Sequence, residues 1–182
     1  MTGADKRRAV FLDRDGVLLR AVVRHNRPYA PTTSEEVQII DGVPAACSEL
    51  SRLGFVLILV TNQPEVARGT LSRQFVDETN EFVKKTLGLD EVCVCDHDNA
   101  DHCDCRKPKP GLITAAAERM SVDLPSSIVV GDRWRDIEAG KRAGCMTVFI
   151  DYRYDEKPPE RPDHAASSLA AALPWIRARL GR

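Results

Sequence analysis

Short, continuous apolar runs alternate with segments of helical periodicity along this chain. Each run is shorter than a typical helix, and most are rich in Val and Ile, which predicts strands buried on both faces. The predicted strands span 9–12, 55–60, 91–95, 127–130 and 147–150. The helices predicted between and after them span about 44–53, 72–87, 110–120, 133–143 and 168–180. This alternation is typical of a parallel sheet with helices on both sides, so we expect an α/β, three-layer, Rossmann-like domain.

Two long connections and a polar tail depart from this alternation. The connections cover residues 19–40 and 96–109, and the second is rich in Cys, His and Asp. Loops of this length in a compact domain usually carry function or are disordered. The sequence has no internal repeat, and we expect a single domain over 1–182, with its core at 9–150 and a C-terminal tail and helix at 151–182.

The composition is that of an ordinary globular protein and argues against several classes of partner. The 182 residues carry 26 Lys and Arg against 27 Asp and Glu, and aromatic residues make up 5%. A near-neutral chain with few aromatic residues lacks the basic face and stacking platforms that nucleic acid requires. No apolar run approaches the roughly 18 residues that cross a bilayer, and the N-terminus does not resemble a signal peptide. We expect a cytoplasmic protein without a membrane partner, and a monomer because no long apolar stripe is left over.

Polar and charged side chains follow four of the predicted strands. They are Asp13, Arg14 and Asp15; Thr61, Asn62 and Gln63; Arg106 and Lys107; and Asp132 and Arg133. Ligands of open parallel sheets bind at the carboxyl ends of the strands. We therefore expect these side chains to converge on one cleft. The alternative is that each acidic residue is only a solvated turn residue.

The residue types at these positions fit phosphoryl transfer to a carboxylate. Asp13, Asp15 and Asp132 would repel one another unless a cation lay between them, and Mg²⁺ prefers oxygen ligands. Asp13 can attack phosphorus, and the second carboxyl, that of Asp15, can protonate the leaving oxygen and then activate water. Thr61 and Lys107 can steady the phosphoryl oxygens. The sequence thus predicts a Mg²⁺-dependent phosphatase with an aspartyl-phosphate intermediate.

Four strings resemble, in order, the motifs of the haloacid dehalogenase superfamily phosphatases. They are "FLDRDGVL", "VTNQ", "RKPKPG" and "GDRWRDIEAG", and the resemblance covers roughly residues 9–150. It is greatest to the branch of histidinol-phosphate and heptose bisphosphate phosphatases. It implies that Asp13 is the nucleophile, Asp15 the general acid and base, and Thr61 and Lys107 the groups that steady the phosphoryl group. It also implies Mg²⁺ bound by Asp13, the Asp15 main-chain carbonyl and Asp132, and no separate cap domain.

Further residues near the motifs are expected to recognise the substrate. The expected substrate contacts are Arg14, Asn62, Gln63, Arg106 and Arg133. Asp136 remains open among three roles, which are support of the site, capping of its own helix and metal ligation. Gly16 is expected to let the backbone approach the phosphate closely.

Four cysteines and two histidines lie within residues 93–105. The pairs Cys95 with His97 and Cys103 with Cys105 offer three thiolates and one imidazole. Zn²⁺ binds such a set tetrahedrally, and four protein ligands favour a structural ion that holds Arg106 and Lys107 at the cleft. The same loop marks the resembling branch, which selects these four ligands. Cys93 and His102 are left as spares without an assigned role.

Two strings resemble enzymes with different substrates. The string "CDCRKPK" resembles histidinol-phosphate phosphatase, and "TNQPEVARGTLS" resembles the heptose bisphosphate enzymes, except at Pro64-Glu65-Val66. A basic cluster in the loop after the first strand would suit a second phosphate; its members are Arg20, Arg24, His25 and Arg27. We favour D-glycero-D-manno-heptose 1,7-bisphosphate as substrate, with histidinol phosphate as the alternative. A zinc-stabilised binding protein without catalysis is the non-enzymatic alternative.

Overall fold

The computed structural model describes residues 6–179, and its centre is a six-stranded parallel sheet. The strands of this sheet are β1 (Ala9–Leu12), β4 (Val56–Asn62), β5 (Glu91–Cys95), β6 (Ile128–Gly131), β7 (Met146–Ile150) and β8 (His164–Ala166). Two further strands, β2 (Val22–Arg24) and β3 (Arg27–Tyr29), form a separate hairpin. The helices are α1 (Val43–Arg52), α2 (Pro64–Ala67), α3 (Arg73–Leu87), α4 (Gly111–Met120), α5 (Trp134–Ala143) and α6 (Leu169–Arg177). The predicted core strands and helices are confirmed, with ends that differ by a few residues.

The core consists of two apolar clusters, one on each face of the sheet. Along β1, Val10 and Leu12 belong to the cluster beneath α1, α3 and α6, whereas Ala9 and Phe11 belong to the cluster beneath α4 and α5. Successive side chains of a strand point to opposite faces, so a strand buried on both sides is apolar throughout. The three-layer α/β architecture expected from the sequence is therefore confirmed.

The strand order places the carboxyl ends of β1 and β6 at a reversal of the chain path. The order is β5-β4-β1-β6-β7-β8, with β1 between β4 and β6. The chain passes outward from β1 to β4 and β5, then returns to β6 and continues to β7 and β8 on the other side. Connections diverge at such a reversal and leave a crevice above the strand ends.

The connection at 19–40 contains a β-hairpin that the sequence did not reveal. His25 and Asn26 form its turn, with φ of 49° and 56°. Positive φ at both central residues is the geometry of the tight turns that suit a two-stranded ribbon. The strands are only three residues long, largely exposed, and interrupted by Pro28, so no apolar run marks them.

The hairpin is tied to residues 151–158, which follow β7 and are called the tail segment here. The Asn26 side-chain amide donates to the Arg153 carbonyl oxygen at 3.0 Å, and the Asn26 carbonyl accepts from the Asp155 N–H at 2.8 Å. Arg27 also lies 3.6 Å from the Asp155 carboxylate. The hairpin and the tail segment, although far apart in sequence, are therefore joined by hydrogen bonds and an ion pair.

The C-terminal elements differ from the prediction. β8 adds a sixth, unpredicted strand, which pairs in parallel with β7 and has no β-branched residue. α6 ends at Arg177 rather than near Leu180, which lies outside the described residues. In the described part of the chain, no helix is long and apolar enough to cross a membrane.

Across 6–179, no separate packed unit covers the carboxyl ends of the strands. The rim around these ends comes from the hairpin, the tail segment and the loop at 96–109. The absence of a cap from this part of the chain agrees with the sequence-based expectation. Within the described residues, the site at the strand ends is therefore bordered by the hairpin, the tail segment and the loop at 96–109 rather than by a cap.

Candidate active site

Three buried carboxylates meet at the strand ends. Asp13 follows β1, Asp132 follows β6, and Asp136 lies in the first turn of α5. One ligand oxygen of each lies within 4.8 Å of one from each of the others. All three side chains are buried, so their charges are poorly screened by water. This arrangement is stable only with cationic groups nearby.

Lys107 supplies one such cation from beneath the cleft. Its Nζ lies 2.7 Å from Oδ1 of Asp13 and 2.6 Å from Oδ1 of Asp136, and it donates to the Val60 carbonyl oxygen at 2.9 Å. Burial opposes the charge on Lys107, but Asp13 and Asp136 outweigh it and raise the pKa of this group. Burial also raises the pKa of Asp13 to about 7, although Lys107 acts to lower it. Lys107 thus favours the ionised Asp13 that an attack on phosphorus requires.

Asp132 is the carboxylate that forms no salt bridge among the described residues. Both of its oxygens are buried, and neither has a hydrogen bond of good geometry there, although Tyr154 lies close enough for Asp132 to contribute to raising the pKa of that tyrosine. Burial, followed by the neighbouring Asp13, raises the pKa of Asp132 well above its ordinary value. A buried carboxylate without a salt bridge is costly, and a divalent cation removes that cost. The donor set of Asp13 and Asp132 therefore fits Mg²⁺.

Gly16 leaves space for the Asp132 carboxylate, which is a role that the sequence did not suggest. Its φ is +92°, and a Cβ atom at this position would lie 2.0 Å from Oδ2 of Asp132. A larger residue would displace the Asp132 carboxylate. The glycine therefore makes room for a protein carboxylate, whereas the expected reason was space for the phosphate.

Asp136 makes contacts that fit two of the three roles left open for it. Its Oδ1 contacts Lys107, and its Oδ2 accepts from the Arg133 main-chain N–H at 3.0 Å. The second contact caps the N-terminus of α5. These contacts support Lys107 and cap the helix, and Asp136 also belongs, with Asp13 and Asp132, to the group of carboxylates that could hold a metal ion.

Asp15 lies at the cleft in a fixed orientation. Arg14 donates to its two oxygens, from Nε to Oδ1 and from Nη2 to Oδ2, at 3.0 Å each. Gln63 Nε2 donates to Oδ2 of Asp15 at 2.9 Å and to Oγ1 of Thr61 at 2.9 Å. The proposed acid/base group and the hydroxyl beside it are therefore held by one amide.

Arg14 and Gln63 were expected to contact the substrate, and they are not among the residues that line the cleft. The side chains of both are 0% exposed and lie beneath the cleft. Arg14 also donates to Oδ1 of Asn80 in α3 at 3.0 Å. Both residues orient Asp15 instead.

Asn62 and Arg106 do line the cleft, as expected for groups near the substrate. The Asn62 side chain bonds both the main-chain N–H and the carbonyl of Lys107, at 3.1 and 3.0 Å. Arg106 donates to Asn99 Oδ1 at 2.9 Å and to the His97 carbonyl oxygen at 3.3 Å. These contacts fix Lys107 at the floor of the cleft and Arg106 at its wall.

The structure brings together the four side chains predicted to bind zinc. Cys95, Cys103 and Cys105 have Sγ–Sγ distances of 3.2–3.7 Å, and Nδ1 of His97 lies 3.3 Å from Sγ of Cys105. Tetrahedral Zn²⁺ with Zn–S bonds of about 2.3 Å separates its sulfur ligands by roughly 3.8 Å. The donor set and spacing therefore fit Zn²⁺, and the four ligands leave no open position for catalysis.

The two spare residues lie outside this ligand group. Cys93 is buried in β5, where its Sγ accepts from Arg119 at 3.2 Å. His102 is exposed and ends a short 3₁₀ turn with φ of 49°. Neither side chain is needed to complete a tetrahedral site.

The cleft has a volume of about 330 Å³ and a charged rim. Arg133, an expected substrate contact, forms an ion pair with Glu156 of the tail segment, with Nε 2.9 Å from Oε2. Glu156 carries no motif signal and was not identified from the sequence.

Of the basic cluster predicted in the loop after the first strand, only Arg27 lines the cleft, while Arg20 pairs with Asp41 at 2.7 Å. The cluster is therefore spread over the surface rather than gathered at the site.

Comparison with known proteins gives consistent similarities. A family model described as HAD-hydrolase-like matches residues 104–172. The D-glycero-beta-D-manno-heptose-1,7-bisphosphate 7-phosphatase of Vibrio cholerae serotype O1 is 38% identical over 155 residues, covering 78% of this chain and 80% of that protein. The Haemophilus ducreyi protein of the same name is 35% identical over 185 residues, covering 93% and 98%. The crystal structure of D,D-heptose 1,7-bisphosphate phosphatase from B. bronchiseptica, complexed with magnesium and phosphate, has a TM-score of 0.81 at 26% identity, covering 94% and 98%.

These similarities, together with the fold, define a phosphoric monoester hydrolase of the HAD-like class. The resemblance inferred from the four motifs is confirmed. The chain belongs to the D-glycero-D-manno-heptose-1,7-bisphosphate 7-phosphatase family.

Proposed function

We propose that this protein removes the 7-phosphate from D-glycero-D-manno-heptose 1,7-bisphosphate through an aspartyl-phosphate intermediate on Asp13. The observation that carries the proposal is the buried contact of Asp13 with Lys107 beside the buried carboxylate of Asp132. This arrangement offers a nucleophile, a fixed positive charge and a cation site together. The named relatives support the choice of substrate.

In the first step, Asp13 attacks phosphorus while Asp15 protonates the leaving sugar oxygen. In the second step, Asp15 accepts a proton from the attacking water, and the bond between Asp13 and phosphorus breaks to release inorganic phosphate. Lys107 and the Thr61 hydroxyl steady the phosphoryl oxygens, where charge accumulates. Gln63 supports both steps because it holds Asp15 beside Thr61.

Mg²⁺ would be held by Asp13, Asp132 and the main-chain carbonyl of Asp15, and when bound it neutralises negative charge on the phosphate. The buried oxygens of Asp132 support this assignment. Asn62, Arg106 and Arg133 are proposed to contact the sugar or its second phosphate.

Zn²⁺ is proposed as a structural ion on Cys95, His97, Cys103 and Cys105. Its role is to fix the wall that carries Arg106, whose guanidinium bonds the His97 carbonyl. These thiolate ligands need a reducing compartment, which supports the cytoplasm as the location. We also propose that the protein acts as a monomer, because the catalytic groups named above all come from one chain.

Phosphate release from heptose 1,7-bisphosphate, measured with Mg²⁺ and with EDTA, tests the proposal. Phosphorus NMR of the product should show that the 7-phosphate is lost and the 1-phosphate remains. Histidinol phosphate serves as the comparison substrate, with a lower kcat/KM expected. A wild-type protein that releases no phosphate from the bisphosphate in the presence of Mg²⁺ would overturn the proposed function.

A further inference from the structure

One arginine on the cleft wall has no acidic partner. Arg135 is half-buried in the first turn of α5 and lines the same cleft as Asp13 and Lys107. Among residues 6–179, no carboxylate oxygen lies within 4 Å of its guanidinium. Its packing contact is the Trp134 ring, whose centroid lies 4.9 Å away.

The other arginines around this end of the cleft are engaged by protein groups. Arg68 forms two hydrogen bonds with Asp98, at 2.8 and 2.7 Å. Arg133 is paired with Glu156, and Arg106 is bonded to Asn99 and to the loop backbone. Arg135 therefore differs from these arginines, because its charge has no such partner among the described residues.

The surroundings of Arg135 oppose its positive charge. Burial lowers its pKa and the neighbouring cations Arg133 and Arg106 lower it further, while the carboxylates of Glu156 and Asp136 act to raise it. A cation in the first turn also opposes the macrodipole of the helix. The contact with Trp134 stabilises the guanidinium, and an anionic ligand in the cleft would offset the remaining cost of its position.

We propose that Arg135 is a specificity-determining residue that binds the second phosphate of a bisphosphorylated sugar while the first phosphate lies at Asp13. This inference rests on the proposed function. A guanidinium presents forked donors that match a phosphate group in two hydrogen bonds. The cleft then prefers a sugar bisphosphate to the corresponding monophosphate.

The test compares kcat/KM for heptose 1,7-bisphosphate with kcat/KM for heptose 7-phosphate. Arg135→Gln should lower the ratio of the two values by about 10- to 100-fold, chiefly through a higher KM for the bisphosphate. Arg135→Lys should keep part of the preference, because the charge remains while the fork is lost. Hydrolysis of the monophosphate should change little in both variants.

The matched control is Arg179→Gln, which removes an arginine stacked over Trp175 in the same way, at 4.2 Å, outside the cleft. It should leave the ratio unchanged, and equal unfolding temperatures of the variants exclude a folding defect. An unchanged ratio in Arg135→Gln, or a wild type without preference for the bisphosphate, overturns the inference and leaves the proposed function intact. A wild type that hydrolyses neither sugar refutes the proposed function and the inference together.

Discussion

The Nζ atom of Lys107 lies 2.7 Å from Oδ1 of Asp13, and both side chains are buried. The ammonium favours the ionised carboxylate at a place where burial alone would neutralise it. Lys107 comes from a loop, whereas Asp13 comes from the central strand. The reactivity of the strand-end carboxylate therefore depends on how the loop at 96–109 is held.

Asp13→Asn should lower kcat by at least ~10³-fold, because an amide cannot form the phosphoryl intermediate. Steady-state phosphate release measures this. Lys107 keeps its contact with Asp136 at 2.6 Å, so the variant should fold. Asp77→Asn, an exposed change in α3, is the control. Wild-type turnover in folded Asp13→Asn would exclude Asp13 as nucleophile.

Mg²⁺ should raise the unfolding temperature of the wild type by several degrees at saturation, since a ligand at 100 times its Kd contributes about 2.7 kcal/mol. Asp132→Asn should lose most of this rise. It should also be more stable than the wild type in EDTA, because the buried charge is gone. Differential scanning fluorimetry measures both effects. An equal Mg²⁺ response in the two proteins would exclude Asp132 as a ligand.

The loop at 96–109, together with Cys95 at the end of β5, should bind about one Zn²⁺ per chain when the protein is purified without chelator, as four ligands close the coordination sphere. Cys103→Ser should lose the ion and lower kcat/KM, because the wall that carries Arg106 loosens. Elemental analysis and kinetics measure the two effects. Cys93→Ser, outside the ligand group, should keep the metal. Full zinc content in Cys103→Ser would refute the ligand set.

Gln63→Leu should lower kcat by about 10- to 100-fold with little change in KM, since it removes a hydrogen bond to the charged Asp15. Gln74→Leu on the exposed side of α3 is the matched control. The split between kcat and KM distinguishes the two roles considered for Gln63. A higher KM with normal kcat would point to the substrate contact that the sequence suggested.

Glu156→Gln should raise KM several-fold, because the Arg133 guanidinium loses the partner that orients it. Glu160→Gln, an exposed change beyond the tail segment, should have no effect. Initial rates over a range of bisphosphate concentrations give both constants. Unchanged kinetics in Glu156→Gln would show that Arg133 needs no such support.

Sequence reasoning located the strand-end carboxylates because their position follows from strand periodicity and from the parallel sheet. It did not reveal that Arg14 and Gln63 are buried, because proximity in sequence does not fix the direction of a side chain. Glu156 could not be found, since it reaches the cleft through a tertiary contact from beyond the motif core. Asp136 had a detectable signal in its placement one helical turn after Asp132, but its contacts with Lys107 and with the N-terminus of α5 could not be read from the sequence.

The joint between Asn26 and the tail segment has a consequence for protein engineering. We expect that the hairpin cannot be exchanged alone with that of a relative, because its turn would lose the hydrogen bond from the Asn26 amide to the Arg153 carbonyl and the one from the Asp155 N–H to the Asn26 carbonyl. Chimeras that transplant both segments together should retain activity, whereas single-segment chimeras should not. The entrance of the cleft could then be varied by replacing the hairpin and the tail segment together, while the residues at the strand ends stay unchanged.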